Sequence, residues 1–132
     1  MDIEQRARRI KLVVLDVDGV LTDGSIWTGE HGELVKRFQT RDGLGIRMLQ
    51  SAGIPVAILT GRLSKQTAAR CAELGITSVV VTHDLQGALA IADRILLLKA
   101  GKVVECSSPD EFVKSQNGDV REFLAAMKGE MS

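Results

Sequence analysis

Read for polarity alone, the chain opens on a charged stretch, "MDIEQRARRI", and turns apolar over Ile10–Val17, "IKLVVLDV". That continuous Val, Leu and Ile run predicts a buried strand. Glycines then punctuate short β-prone pieces. The pattern predicts a hairpin, Ser25–Thr28 against Leu34–Phe38, turning at "GEHGE". "RDGLGIRMLQSAG" has helical spacing, with Leu44, Met48 and Leu49 as its apolar stripe and Gly53 as its stop. "IPVAILT" predicts a second buried strand. "SKQTAARCAELG" predicts a second helix, capped by Ser64 and ended by Gly75, and "ITSVVVTHD" a third strand.

Beyond it the pattern predicts a helix over "LQGALAIADRI" and a hairpin, "ILLLKAGKVVEC", around Ala100-Gly101. A short helix in "SSPDEFVKS" has Ser108 as N-cap and Pro109 at its first position, and "GDVREFLAAMKG" is a closing helix. Strand and helix alternate to about residue 95, and a hairpin and helices are appended. The class is α/β with a mostly parallel sheet, one domain over residues 1–132.

Composition narrows this picture. Apolar residues make up 45% of the 132, but aromatics only 3%, with no tyrosine. The core must therefore come from small aliphatic side chains, which suits helices packed on a parallel sheet. Seventeen basic residues balance seventeen acidic ones, so bulk charge favours neither nucleic acid nor anionic lipid. No apolar run approaches the ~20 residues needed to cross a bilayer. The two cysteines, Cys71 and Cys106, lack metal-ligand spacing and read as reduced thiols. With an N-terminus lacking a signal-peptide core, these features predict a cytoplasmic chain without membrane insertion.

The first candidate chemistry lies at the end of the first strand, where Asp16 and Asp18 are one residue apart. Ligand crevices of parallel sheets form at the carboxyl ends of the strands, and period-two spacing can aim both carboxylates to one side. Like charges so close repel unless a cation lies between them, and Mg²⁺ is a hard, oxygen-seeking choice. One carboxylate could then attack phosphorus while the other handles protons. The alternative is a loop pair that merely caps the next turn.

"LDVDGVLTDG" resembles the first motif of the haloacid dehalogenase superfamily, and "AILTGR", Ala57–Arg62, resembles its second. Over residues 8–76, "VLDVDGVLTDGSIW", "GELVKRFQTRDGLGIRML", "GIPVAILTGR" and "RCAELGI" resemble the capless phosphatases that act on 3-deoxy-D-manno-octulosonate 8-phosphate in lipopolysaccharide synthesis. The resemblance implies a Rossmann-like core with a hairpin projecting after the first strand. It implies Asp16 as nucleophile, forming an aspartyl-phosphate, and Asp18 as the acid and base. It implies Mg²⁺ on the Asp16 carboxylate and the Asp18 carbonyl, phosphate held by the Thr60 hydroxyl and the Gly61 N–H, and Arg62 on phosphate or sugar acid. The implied substrate is a small phosphorylated sugar acid.

The family's third motif, a lysine, and its fourth, a strand ending Gly-Asp-Asp, are not found after residue 76. Residues 77–124 instead resemble the tail of an ABC-transporter ATP-binding subunit: "VVVTHD", with His83, resembles its switch strand. No Gly-x-x-x-x-Gly-Lys-Ser/Thr loop accompanies it, so an ATPase is not expected. The chain thus reads as a chimera, residues 1–76 phosphatase-like and 77–132 ATPase-tail-like. Asp84 would complete the metal site only if its strand lay beside that of Asp16. Lys65, Lys99 and Lys102 are weak substitutes for the missing lysine. The expectation is an impaired phosphatase; the alternative is an inactive oligomerisation module. Ile26 and Trp27 on the hairpin, which a lone hairpin cannot bury, predict a homo-oligomer, and the resemblance makes it a tetramer.

Overall fold

The structure, a computed structural model, describes residues 1–129. The chain divides into two compact units, Met1–Thr82 and the residues from His83 onward.

The first unit opens with helix α1 (Ile3–Ala7), held by a reciprocal cap between Asp2 and Gln5. Strand β1 (Val13–Leu15), hairpin strands β2 (Trp27–Gly29) and β3 (Gly32–Val35), helix α2 (Thr40–Ser51), strand β4 (Val56–Thr60), helix α3 (Lys65–Leu74) and strand β5 (Thr77–Val80) follow. The parallel sheet has the order β1-β4-β5, with Val13 opposite Val56 and Ala57 opposite Thr77. β1 starts later than the apolar run because a proline precedes its partner strand. Val13 N–H donates to the Pro55 carbonyl at 3.0 Å, and Pro55 has no N–H with which to extend the ladder. The hairpin is likewise tighter than expected, with Thr28 opposite Glu33 and Gly29 opposite Gly32 across a turn at Glu30 and His31.

One sheet face is packed. Val13, Leu15, Val56, Ile58 and Ile76 point into a core shared with Val17, Leu21, Ile46, Cys71 and Leu74. The other face is not. Val14, Leu59 and Val79 are each about half exposed, as is Leu12 before β1, and Val81 beyond β5 is more so.

Helix α3 runs as expected. The Ser64 hydroxyl accepts from Thr67 N–H, and Gly75 ends the helix in the left-handed region, φ 64°. Helix α2 corrects the reading of its stripe. Gly43 and Ile46 are buried and Leu49 packs partly on the core, whereas Leu44 and Met48 are 61% and 64% exposed. The reason is a close approach between helices. A Cβ on Gly43 would stand 2.5 Å from Arg70 Nη2 and 3.5 Å from Leu74 Cδ2, so the bare Gly43 backbone faces α3. That rotation leaves Leu44 and Met48 outside.

The second unit contains helix α4 (Leu85–Ile91), hairpin strands β6 (Ile95–Lys99) and β7 (Lys102–Ser107), and helices α5 (Pro109–Val113) and α6 (Gly118–Gly129). α4 stops at Ile91, before the expected end at Ile95, because Ile95 is already paired with Ser107 in the hairpin. Ala100 and Gly101 make the turn, both at positive φ. Ser108 and Glu111 cap α5 reciprocally, and Phe112 and Val120 are fully buried.

Candidate active site

Because β1 and β4 are parallel neighbours with Leu15 opposite Ile58, their carboxyl ends open side by side on one sheet edge. One end delivers Asp16 and Asp18; the other delivers Thr60, Gly61 and Arg62. Neighbouring strands are ~4.8 Å apart, so the two loops are within reach of one small anion.

The loop after β1 is tied on a single hydroxyl. Thr22, 8% exposed, accepts through Oγ from the N–H groups of Gly19 and Gly24, both at 3.2 Å. Its own hydroxyl points to the Val17 carbonyl at 3.4 Å. That carbonyl also receives the N–H groups of Val20, Leu21 and Thr22 at 3.0–3.2 Å. Gly19 and Gly24 both need positive φ, 82° and 79°, which glycine adopts without steric cost. Buried Val17 and Leu21 pin the loop to the core, while the Asp16 side chain stays exposed with its Oδ1 accepting from Val17 N–H at 2.7 Å.

Asp18 is ion-paired through Oδ1 to the ammonium of Lys36. Lys36 follows β3, and its side chain is 3% exposed against 31% for Asp18. Two residues on, Phe38 bridges back to Thr22 in antiparallel fashion, so the base of the hairpin is tied twice to the aspartate loop. The lysines that the sequence singles out are Lys65, Lys99 and Lys102, and Lys36 is not among them. A signal was available. The return strand of a hairpin rising from residue 24 must pass the loop where it began, and Lys36 lies near that return. Further along, Asp23 accepts from the hydroxyl and the N–H of Ser25, which hold its carboxyl below the ordinary aspartate range.

On the second loop, buried Thr60 accepts through Oγ from Arg62 N–H at 3.3 Å, and its carbonyl takes Val81 N–H at 3.0 Å. A Cβ on Gly61 would meet nothing within 4 Å and its φ is not positive, so neither packing nor backbone conformation requires glycine there. A bare backbone with open space before it suits close approach by a ligand.

The remaining candidates have local partners or are exposed. β5, the strand that leads toward Asp84, pairs with β4 and not with β1. Asp84 instead caps α4, accepting from Gly87 N–H at 2.9 Å. Lys99 pairs with Asp119 and Glu122 at 2.7 and 3.0 Å, while Lys65 and Lys102 are exposed. Among the described residues no three His, Cys, Asp or Glu side chains converge on one point. No helix among them is long and apolar enough to cross a membrane.

A parallel sheet with aspartates following its first strand, a threonine ending the next, and a hairpin rising between them defines a Rossmann-like core of the haloacid dehalogenase hydrolase type. No family model matches the chain. The chain is 46% identical over 99 residues to the 3-deoxy-D-manno-octulosonate 8-phosphate phosphatase KdsC of Escherichia coli K12, covering 69% of this chain and 53% of that protein. The cobalt-bound form of the deoxy-D-mannose-octulosonate 8-phosphate phosphatase YrbI from Haemophilus influenzae superposes with a TM-score of 0.56 at 48% identity, covering 61% of this chain and 47% of that one. The Moraxella catarrhalis phosphatase, solved with magnesium, phosphate and KDO, gives 0.54 at 39% identity, covering 65% and 51%. The chain spans about half the length of the relatives it matches.

Proposed function

We propose that the chain is a phosphomonoester hydrolase acting on the phosphate of a small sugar acid, 3-deoxy-D-manno-octulosonate 8-phosphate by likeness to its relatives. The observation that carries the reading is the pairing of β1 with β4, which brings the Asp16–Asp18 loop and the Thr60–Arg62 loop to one edge. Asp16, exposed and stabilised through Oδ1, attacks phosphorus and forms an aspartyl-phosphate as the sugar alkoxide leaves. Asp18 gives that alkoxide its proton, then takes one from the water that cleaves the acyl phosphate. The Thr60 hydroxyl and the Gly61 N–H hold non-bridging oxygens, and the open space before Gly61 supports that approach. Arg62 meets the phosphate or the carboxylate of the sugar acid.

The donor chemistry fits a hard divalent cation: the Asp16 carboxylate and the Asp18 carbonyl would hold Mg²⁺, with water as its other ligands. When bound, the ion neutralises charge on the phosphate. With so few protein ligands the site is weak, and turnover is well below that of the longer relatives. A homotetramer built on the hairpin, with Ile26 and Trp27 56% and 62% exposed, belongs to the same reading. So does an origin of residues 77–132 in an ATPase tail.

The test is hydrolysis of p-nitrophenyl phosphate by the full chain with Mg²⁺, with EDTA, and in Asp16→Asn. Mg²⁺-dependent release of p-nitrophenol that vanishes in the variant is expected. Release that survives Asp16→Asn refutes the assignment.

A further inference from the structure

The pair between Lys36 and Asp18 joins a lysine whose side chain is almost wholly buried to a carboxylate at the mouth of the site. A buried ammonium is expensive unless an anion compensates it, and a lysine on a projecting hairpin would ordinarily extend into water. The chain instead turns Lys36 inward at the hairpin base, one backbone bridge away from the hydroxyl that ties the aspartate loop. A carboxylate alone on a glycine-flanked loop rotates freely about χ2. An ammonium on Oδ1 stops that rotation and leaves Oδ2 as the oxygen with a fixed direction.

We propose that Lys36 is a positioning residue: it clamps Asp18 by Oδ1 so that the other oxygen is presented to the bridging oxygen of the scissile ester. The inference rests on the phosphatase reading, in which Asp18 carries the proton to the leaving alkoxide. Lys36 itself touches neither phosphate nor sugar. The hairpin is thereby part of the catalytic frame as well as a projection from it.

The consequence separates two kinds of ester. A sugar alkoxide leaves poorly without a proton, whereas p-nitrophenolate leaves readily, so departure of the leaving group depends on where Asp18 points only for the first. Hydrolysis of the aspartyl-phosphate uses Asp18 for both esters, so the comparison is made on kcat/KM, which reports the steps through departure of the leaving group. In Lys36→Met, kcat/KM on 3-deoxy-D-manno-octulosonate 8-phosphate should fall about 10- to 100-fold, the scale of misplacing a general acid. On p-nitrophenyl phosphate kcat/KM should fall less than about threefold, because proton donation contributes little to an activated leaving group. Lys36→Arg, which keeps a cation on Oδ1, should recover most of the loss. Equal losses in kcat/KM on both esters would overturn the proposal, by making Lys36 a phosphate ligand. If the unmodified chain hydrolyses neither ester, the phosphatase reading falls separately. The clamp is then judged by the ¹⁵Nζ resonance of Lys36, which must move in Asp18→Asn; an unmoved resonance refutes the pair itself.

Discussion

Thr22→Val is the sharpest test of how the aspartate loop is built. Valine matches threonine in volume, so no cavity forms and only the hydroxyl is lost. Three hydrogen bonds go with it, but they are not equal. The Val17 carbonyl keeps three backbone donors, so losing the 3.4 Å contact from Thr22 costs little. The N–H groups of Gly19 and Gly24 each lose their acceptor at 3.2 Å. At ~0.5–1.5 kcal/mol net per bond, the pair is worth roughly 1–3 kcal/mol. Both glycines are exposed, so water replaces part of what is lost and the expected cost is about 1–2 kcal/mol. Thr22→Ser is the control: it keeps the hydroxyl and gives up one buried methyl, ~0.8 kcal/mol. Urea unfolding followed by circular dichroism and by Trp27 fluorescence, the only tryptophan, measures both. The valine variant should be the less stable. A serine variant that loses more, or a valine variant indistinguishable from the parent, would show that packing and not the hydroxyl sets the loop.

Two further outcomes follow from the thiols and from a helix cap. Cys71 is 3% exposed and burial pushes its thiol up, while Cys106 is exposed, so a disulfide reagent should label one thiol promptly and the second only on unfolding; equal rates in the native chain, or a slow phase that survives Cys71→Ser, would contradict this. Glu111 is held below the ordinary value of 4.5, first by the Ser108 hydroxyl and then by its N–H. The cap on α5 is therefore fully present above pH 4.5 and is lost as pH falls through the lowered value. A carbon-13 titration of the Glu111 carboxyl should show its midpoint returning toward 4.5 in Ser108→Ala; an unmoved midpoint would mean that the hydroxyl is not the cause.

The local elements were legible because their signals are local. Ser64, Gly75, Ser108 and Pro109 each mark a boundary through their own backbone chemistry, and the structure begins or ends helices where they stand. The facing of α2 was not legible in the same way. Leu44 and Met48 have helical spacing, but Gly43 decides the rotation by admitting Arg70, a residue of another helix. The site divides along the same line. Asp16, Asp18 and Thr60 stand at strand ends, which the apolar runs announce. Lys36 enters through a hairpin closure, and the place of β5 beside β4 through strand order. Both are pairings between distant segments, and a pattern read along one stretch does not contain them.

The sheet of the first unit is packed on one side only, and that asymmetry governs how the molecule behaves in bulk. Val14, Leu59 and Val79 leave about half of their surface in water, on a chain whose seventeen positive and seventeen negative side chains cancel at pH 7. Long-range repulsion between copies is therefore weak, and the attraction that opposes dispersal is apolar. Apolar attraction weakens on cooling and strengthens in sulfate. Hydration of this sheet face thus weighs on solubility: the chain should disperse best cold and in modest salt, the opposite of a protein held in solution by its charge.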